Sequence, residues 1–192
     1  MGKQHVDIFK KILMRRTLLK GQNIDNIYVP FIGDGDIANE LYTTYKIYGG
    51  DIDPTRANYA RERLKATIKA ADCNKWIFQE VKDEFQAADF DSYCQPYLSF
   101  REFWNKANKS NILTLFFTDG HRQSIIRTGT HVTIDDTHVK LKDINEQRKL
   151  YNAYFTGYIL PWFVEYIKPY KIIKKQFYLR QHMLYWGAVV KK

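Results

Sequence analysis

Apolar residues recur at helical spacing near the start of the chain, at Val6, Ile8, Phe9, Ile12, Leu13, Leu18 and Leu19, with Lys10, Lys11, Arg15 and Arg16 mostly between them. This pattern predicts an amphipathic helix over residues 6–20 with a basic face, ended by Gly21. That face is expected to be the solvated side of a packing helix, phosphate contact being the alternative. Ile27 to Ile32 is a buried strand, Asp36 to Tyr45 a short helix and Lys46 to Gly50 a second strand. Pro54 opens a helix expected to reach about Ala71, with Tyr59, Leu64 and Ile68 as its apolar contacts. A third strand is expected over Trp76 to Val81, and a fourth, Ala87 to Tyr93, runs into a loop. Leu98 to Ala107 is a helix with Phe100, Phe103 and Trp104 on one side, and the continuous run Ile112 to Phe117 reads as a central strand.

The second half begins with a polar stretch, Gly129 to Asp143, expected as an inserted loop or small hairpin. From Asn145 to about Ile167 nine large apolar and aromatic residues, Leu150 to Tyr166, recur at helical spacing, and Pro161 should kink this helix. Its aromatic stripe is core rather than a ligand wall. Ile172 to Leu179 and Met183 to Val190 form a final antiparallel pair. Strand and helix alternate, so the fold class is α/β. A doubly wound, mostly parallel seven-stranded sheet carries helices on both faces and closes with the C-terminal antiparallel hairpin. The 192 residues suit one domain, with 45% hydrophobic composition enough for a core.

Charge and cysteine content narrow the setting. The net charge of +9 favours an anionic partner, nucleic acid first among them. No apolar run is long enough to span a membrane, and the polar start shows no secretory signal. Gly2 does not make a myristoylation signal, because Val6 stands where Ser or Thr is expected. Cys73 and Cys94 have neither zinc-knuckle spacing nor the numbers for a disulfide framework, which suggests a reducing, cytoplasmic location. The histidines show no metal spacing, so no metal is expected. The oligomeric state is left open, a homodimer included.

The chemistry concentrates after the first strand. Gly33-Asp-Gly-Asp-Ile-Ala38 fits G-x-G-x-x-G/A, and Asp51 follows Gly33 by 18 residues, near the place of the acid that bonds ribose hydroxyls. Placement between a strand and a helix makes this a nucleotide-binding turn, open to a dinucleotide or to S-adenosylmethionine. Asp34 and Asp36 flank Gly35 and would repel a pyrophosphate by on the order of 1 kcal/mol each. The sulfonium and ammonium groups of S-adenosylmethionine tolerate acids, so electrostatics favour the methyl donor. A role as helix N-cap acids is the plainer alternative.

Here the sequence resembles class I S-adenosylmethionine-dependent methyltransferases. Pro30-Phe-Ile-Gly-Asp-Gly35 resembles the Phe-x-Gly-x-Gly form of their first motif, found in amino-methyltransferases of nucleic acids. Gly49-Gly-Asp-Ile-Asp-Pro54 resembles their second motif. The resemblance implies cofactor contacts from Phe31, Gly33, Asp34, Gly35, Asp51, Ile52 and Asp89, with Asp83 the candidate for the acid that meets adenine. Ala88-Asp-Phe-Asp-Ser-Tyr-Cys-Gln-Pro-Tyr97 resembles the Asp-x-Asp-Pro-Phe-Gly-x-Pro loop of the tRNA guanine-N2 dimethyltransferase family, itself related to the Asp-Pro-Pro-Tyr loop of DNA amino-methyltransferases. Ser92 and Cys94 replace the Pro and Gly of that loop, and Leu115-Phe-Phe-Thr-Asp-Gly120 resembles the Thr-Asp ending of the family's next strand.

An exocyclic amine is a poor nucleophile because its lone pair is delocalised into the ring. A carboxylate bonded to its N–H restores electron density and later takes the proton. Asp91 is the candidate catalytic carboxylate, Tyr93 a candidate stacking platform for an extruded base, and Pro96, Tyr97, His121, Arg122 and Arg127 candidate substrate contacts. The expected activity is methyl transfer to an amine of a DNA or RNA base. The alternatives are a methyltransferase of small molecules or proteins, a non-catalytic nucleic-acid-binding module with this fold, and a nicotinamide oxidoreductase. A virus or mobile element is a natural source for so compact an enzyme.

Overall fold

Ile27 and Val29 face one side of a central strand and Tyr28 the other, and that alternation separates two cores. The computed structural model describes residues 6–92 and 94–192. β1 (Asn26–Val29) lies between β2 (Lys46–Asp51) and β4 (Phe85–Phe90), parallel to both. β3 (Ala66–Ala70) extends the sheet beyond β2, and β5 (Lys109–Asp119) beyond β4. β8 (Lys171–Arg180) and β9 (Met183–Lys191) form the closing hairpin, with β9 antiparallel to both β5 and β8. The seven-stranded order is β3-β2-β1-β4-β5-β9-β8, so β9 is its one reversed strand. The expected α/β sheet with its antiparallel hairpin is therefore present. β6 (Thr130–Val132) and β7 (His138–Lys140) form a separate hairpin within the inserted segment.

Three helices cover one face: α1 (Val6–Leu19), α2 (Asp36–Leu41) and α3 (Pro54–Arg63). Their core joins Leu18, Tyr42 and Ala60 to Ile27, Ile47 and Phe116 of the sheet. On the other face lie α4 (Tyr97–Lys106), α5 (Arg122–Thr128), α6 (Ile144–Ala153) and α7 (Leu160–Tyr166). That side is an aromatic layer in which Phe117 stacks on Trp186 at 4.2 Å and on Phe90 at 5.3 Å between ring centroids. No helix of the described residues is long and apolar enough to cross a membrane.

Three expectations need correction. The helix opened by Pro54 ends at Arg63, where Leu64 turns to extended backbone, and the residues expected as its second half form β3. This edge strand buries one large apolar residue, Ile68, so its sequence carries no alternation strong enough to oppose the helix-permissive run before it. Trp76 to Val81 is irregular rather than a strand; Trp76 and Phe78 alternate inward because both rings plug the aromatic core around Tyr28 and Phe85. The expected kink is a π-helical segment, Tyr154–Ile159, between α6 and α7. Pro161 has no N–H to give the preceding turn, and the widened turn accommodates the loss. α5 escaped the periodicity altogether, because seven residues are too few to show it.

Candidate functional site

The loop after β1 is tied to the end of β2. Asp51 accepts the Gly33 N–H at 3.0 Å through Oδ2 and the Asp53 N–H at 2.9 Å through Oδ1, while the Ile32 N–H donates to the Gly50 carbonyl at 2.8 Å. Gly35 has a left-handed φ of 78°, and a Cβ there would come within 3.0 Å of Leu64 Cδ1, so the turn into α2 requires glycine. Asp53 caps α3 by accepting the Thr55 N–H at 2.8 Å. Between the two acids Ile52 stands 74% exposed, and Phe31 is half-buried.

The loop acids are not bare. Arg56 Nε donates to Asp34 at 3.0 Å and Arg63 Nη1 to Asp36 at 2.5 Å, both from α3. With Thr55 and Tyr59 these four side chains line a groove of about 400 Å³. The two acids were expected to repel a pyrophosphate. Their arginine partners remove most of that repulsion, so the loop's charge no longer separates the two cofactors.

Asp89 and Asp91 are two apart along β4 and its extension, hence on one face of the sheet. Lys11 and Arg15 are four apart on α1, hence on one face of the helix. The spacings match, about 6.6 Å along a strand and about 6.0 Å along a helix. Arg15 holds Asp89 with two bonds of 2.7 Å, Tyr42 Oη adds a third at 2.6 Å, and Lys11 Nζ donates to Asp91 Oδ1 at 2.7 Å. The basic face of α1, expected in solvent, therefore contributes a fully buried arginine. Asp89, expected at the cofactor, is enclosed and saturated by α1 and α2.

Asp91 remains 16% exposed, its Oδ2 3.9 Å from Arg15. Burial alone would raise its pKa, but the charges of Lys11 and Arg15 outweigh that and hold the carboxyl below the usual range.

The loop beyond Asp91 is fixed by polar side chains where the related motif has Pro and Gly. Ser92 Oγ accepts the N–H groups of Cys94 at 3.3 Å and Gln95 at 3.1 Å, and Gln95 Oε1 accepts that of Tyr97 at 2.9 Å. Tyr93 lies outside the described residues, and Cys94 is exposed. Pro96 and Tyr97, expected to touch substrate, are buried beneath the loop. Tyr97 Oη instead donates to Asp119 at 2.7 Å, where Tyr154 Oη donates at 3.0 Å and the His121 N–H at 2.8 Å. Burial raises the Asp119 pKa and lowers that of the His121 imidazole.

Arg122, expected on substrate phosphates, is a staple. It donates to the carbonyls of Tyr151 at 3.1 Å and Gln181 at 2.5 Å and lies 3.6 Å over the Tyr151 ring. Arg127 is exposed on α5. Asp83 is at the opposite edge of the sheet, where Lys46 holds it at 2.7 Å and Tyr48 Oη also donates to it, so it cannot meet an adenine at the glycine loop. Asp72, just past β3, lies at the same carboxyl edge as the glycine loop, and its neighbour Ala71 donates to the Asp51 carbonyl at 3.0 Å. Its signal was hidden when β3 read as helix.

Strand order reverses between β1 and β4, and the glycine loop, Asp51 and Asp91 all stand at the carboxyl edge beside that point, where open α/β sheets bind ligands. Solved structures share this sheet. The N-methyltransferase NodS from Bradyrhizobium japonicum WM9 aligns with all of this chain and 99% of its own, at 11% identity and TM-score 0.61. Trm1 from Pyrococcus horikoshii, solved with S-adenosyl-L-methionine, aligns with 96% at 13% identity and TM-score 0.68, the chain spanning 54% of that protein. The fold is that of the class I methyltransferases. The plantazolicin methyltransferase BpumL, solved with a desmethyl analogue of plantazolicin and S-adenosylhomocysteine, aligns with 97% of the chain and 84% of its own, at 11% identity and TM-score 0.58. No family model and no curated sequence matches, so the likeness to this methyltransferase fold is one of structure.

Proposed function

We propose that this protein is an S-adenosylmethionine-dependent methyltransferase whose acceptor is an exocyclic amine of a nucleic-acid base. The observation that carries the reading is Asp91, a part-exposed carboxylate kept ionised beside the strand-order reversal, on the same sheet edge as the Asp51–Gly33 turn. The cofactor fits the donor set. Each Asp51 oxygen accepts one backbone bond and keeps a lone pair for a vicinal hydroxyl, and the exposed Ile52 offers an apolar face to a flat ring. Asp72 supplies a further acceptor at the end of β3. Bound there, S-adenosylmethionine supplies a methyl group made electrophilic by a sulfonium.

The chain's own residues supply the rest. Asp91 Oδ2 accepts an N–H of the incoming amine, which raises electron density on nitrogen and orients it. The N-methylated amine is first formed as a cation, a strong enough acid to pass its proton to a carboxylate of low pKa. Lys11 keeps Asp91 ionised, and the buried Arg15–Asp89 pair fixes α1, and with it Lys11, against the sheet.

The test is to supply methyl-labelled donor with RNA, DNA and a mixture of peptides and metabolites, then to digest and analyse by mass spectrometry. Label on the exocyclic nitrogen of one nucleoside is the expected product. Asp91→Asn should lower transfer by roughly 10²–10⁴-fold with donor affinity unchanged within about twofold. Label in small molecules or peptides alone removes the nucleic-acid acceptor, and a protein that does not bind donor is not this enzyme.

A further inference from the structure

The positive charge of this protein is unevenly placed. Residues 167–192 hold seven Lys and Arg and no acid, whereas the first 166 hold 23 basic against 21 acidic residues. The basic segment is the β8–β9 hairpin and its flanks, and β8 is the outermost strand of the sheet. Beside it lies α1, and between them runs a groove of about 590 Å³ lined by Lys10, Leu13 and Met14 on the helix and Lys175, Phe177 and Tyr178 on the strand. Large apolar side chains of α1 stand open beside it: Phe9 is 68% exposed and Leu13 54%. The Phe177 ring turns to the other face of the sheet, 4.6 Å from Phe155 between centroids.

One end of this groove, at Tyr178, is joined to Asp91 by a row of paired residues in the sheet, of which Tyr185 and Thr118 are buried beneath α1. Tyr178 pairs with Tyr185 across β8 and β9, and Tyr185 with Thr118 across β9 and β5. Phe90 pairs with Phe117, so Asp91, one residue on, falls beside Thr118. Asp91, Thr118, Tyr185 and Tyr178 thus form one row across four strands, about 14 Å long at the usual strand spacing. Two lysines of α1 lie over that row. Lys10 sits 4.0 Å above the Tyr178 ring and donates to its Oη at 2.7 Å, and Lys11 sits 5.0 Å above the Tyr185 ring while holding Asp91.

We infer that the groove between α1 and β8 is the track of a single polynucleotide strand whose target base reaches Asp91. The inference rests on the proposed methyltransferase reading only for what happens at the end of the track. β8, about 33 Å long, has the length of roughly ten stacked nucleotides, with Lys171, Lys174 and Lys175 in its first half and Arg180 at its end to meet their phosphates. The open Phe9 ring beside those cations is a platform of the kind that unpaired bases stack on. Protection of an open sheet edge explains lysines on β8 but not the exposed Phe9 and Leu13 on the neighbouring helix. Like charge opposes a second copy docking by the same edge.

The experiment measures anisotropy of labelled 12-nucleotide RNA and DNA strands, their duplexes and labelled heparin, in low and moderate salt, with the full chain. Lys171→Glu/Lys175→Glu should weaken single-strand binding at least tenfold and lower the salt slope by about one to two. Lys65→Glu/Lys82→Glu makes the same charge change at exposed positions on the far side and should cost less than twofold. Phe9→Ser should weaken strand binding about fivefold or more and leave heparin binding unchanged. No strand binding by the parent, equal losses in the two double variants, or no effect of Phe9→Ser would each overturn the track. Donor titration of every variant reports folding. A parent that binds strands but not S-adenosylmethionine would sink the enzyme and leave the track standing.

Discussion

Asp91 is the residue on which the chemistry turns, and its neighbours set its titration. Lys11 and Arg15 hold its carboxyl below the usual range against the opposing effect of burial. Lys11→Met removes the nearer charge, so the Asp91 pKa must rise. A protonated Asp91 cannot accept an N–H, so the acid limb of the kcat/KM profile should move to higher pH while the plateau keeps its height. Stability shows the same linkage: the contribution of Asp91 is present above its unfolded pKa and lost as pH falls through the lower folded value, a window that Lys11→Met should narrow. Asp51 gives the second expectation at this scale. Asp51→Asn keeps one acceptor for the loop N–H groups instead of two, so calorimetry should find donor affinity at least tenfold weaker, with about 1 kcal/mol lost in urea melts. Asp51 was legible in the sequence because one short helix and one strand, α2 and β2, separate it from Gly33 and set the spacing. The arginines that neutralise Asp34 and Asp36 were not, because they come from a helix whose docking no local pattern specifies.

At the scale of elements, the Arg15–Asp89–Tyr42 cluster fastens α1 and α2 to β4. Removing one partner strands the other's charge in the core, so Arg15→Met should cost about 3–5 kcal/mol in denaturant melts. Arg15→Met/Tyr42→Phe/Asp89→Leu leaves no orphaned charge or hydroxyl and should recover most of that loss, because desolvation offsets much of what a buried ion pair contributes. The sequence showed α1 as an amphipathic helix with a basic face, and the helix is there. It could not show that the basic face turns inward, because Arg15 and Asp89 are 74 residues apart and a charged residue reads as solvated until its partner is known. The same limit produced the misplaced third strand. β3 is short, lies at the sheet edge and buries little, whereas Trp76 and Phe78 alternate like a strand while filling a core. Strands with continuous apolar runs, β1 and β5, and the long closing hairpin were unambiguous.

For the whole molecule, the open question from the sequence was which nucleotide the glycine turn takes, and the fold changes the grounds for answering it. Asp34 and Asp36 no longer argue against a dinucleotide once Arg56 and Arg63 are paired with them. The sheet, with its reversed β9, shares its fold with methyltransferase structures solved with the methyl donor or its product. Ligand-linked stability decides between them. A ligand that binds only the folded state at one hundred times its Kd adds about 2.7 kcal/mol. For a chain of 192 residues each kcal/mol raises Tm by roughly 2–4 °C, so S-adenosylmethionine or S-adenosylhomocysteine at that excess should raise it by roughly 5–10 °C. NAD and NADP at equal concentration should leave Tm within about 1 °C, and Asp51→Asn should shrink the shift given by the methyl donor. If the dinucleotides raise Tm and the methyl donor does not, the turn holds a pyrophosphate between Arg56 and Arg63, and Asp91 must be read as part of a hydride-transfer site instead.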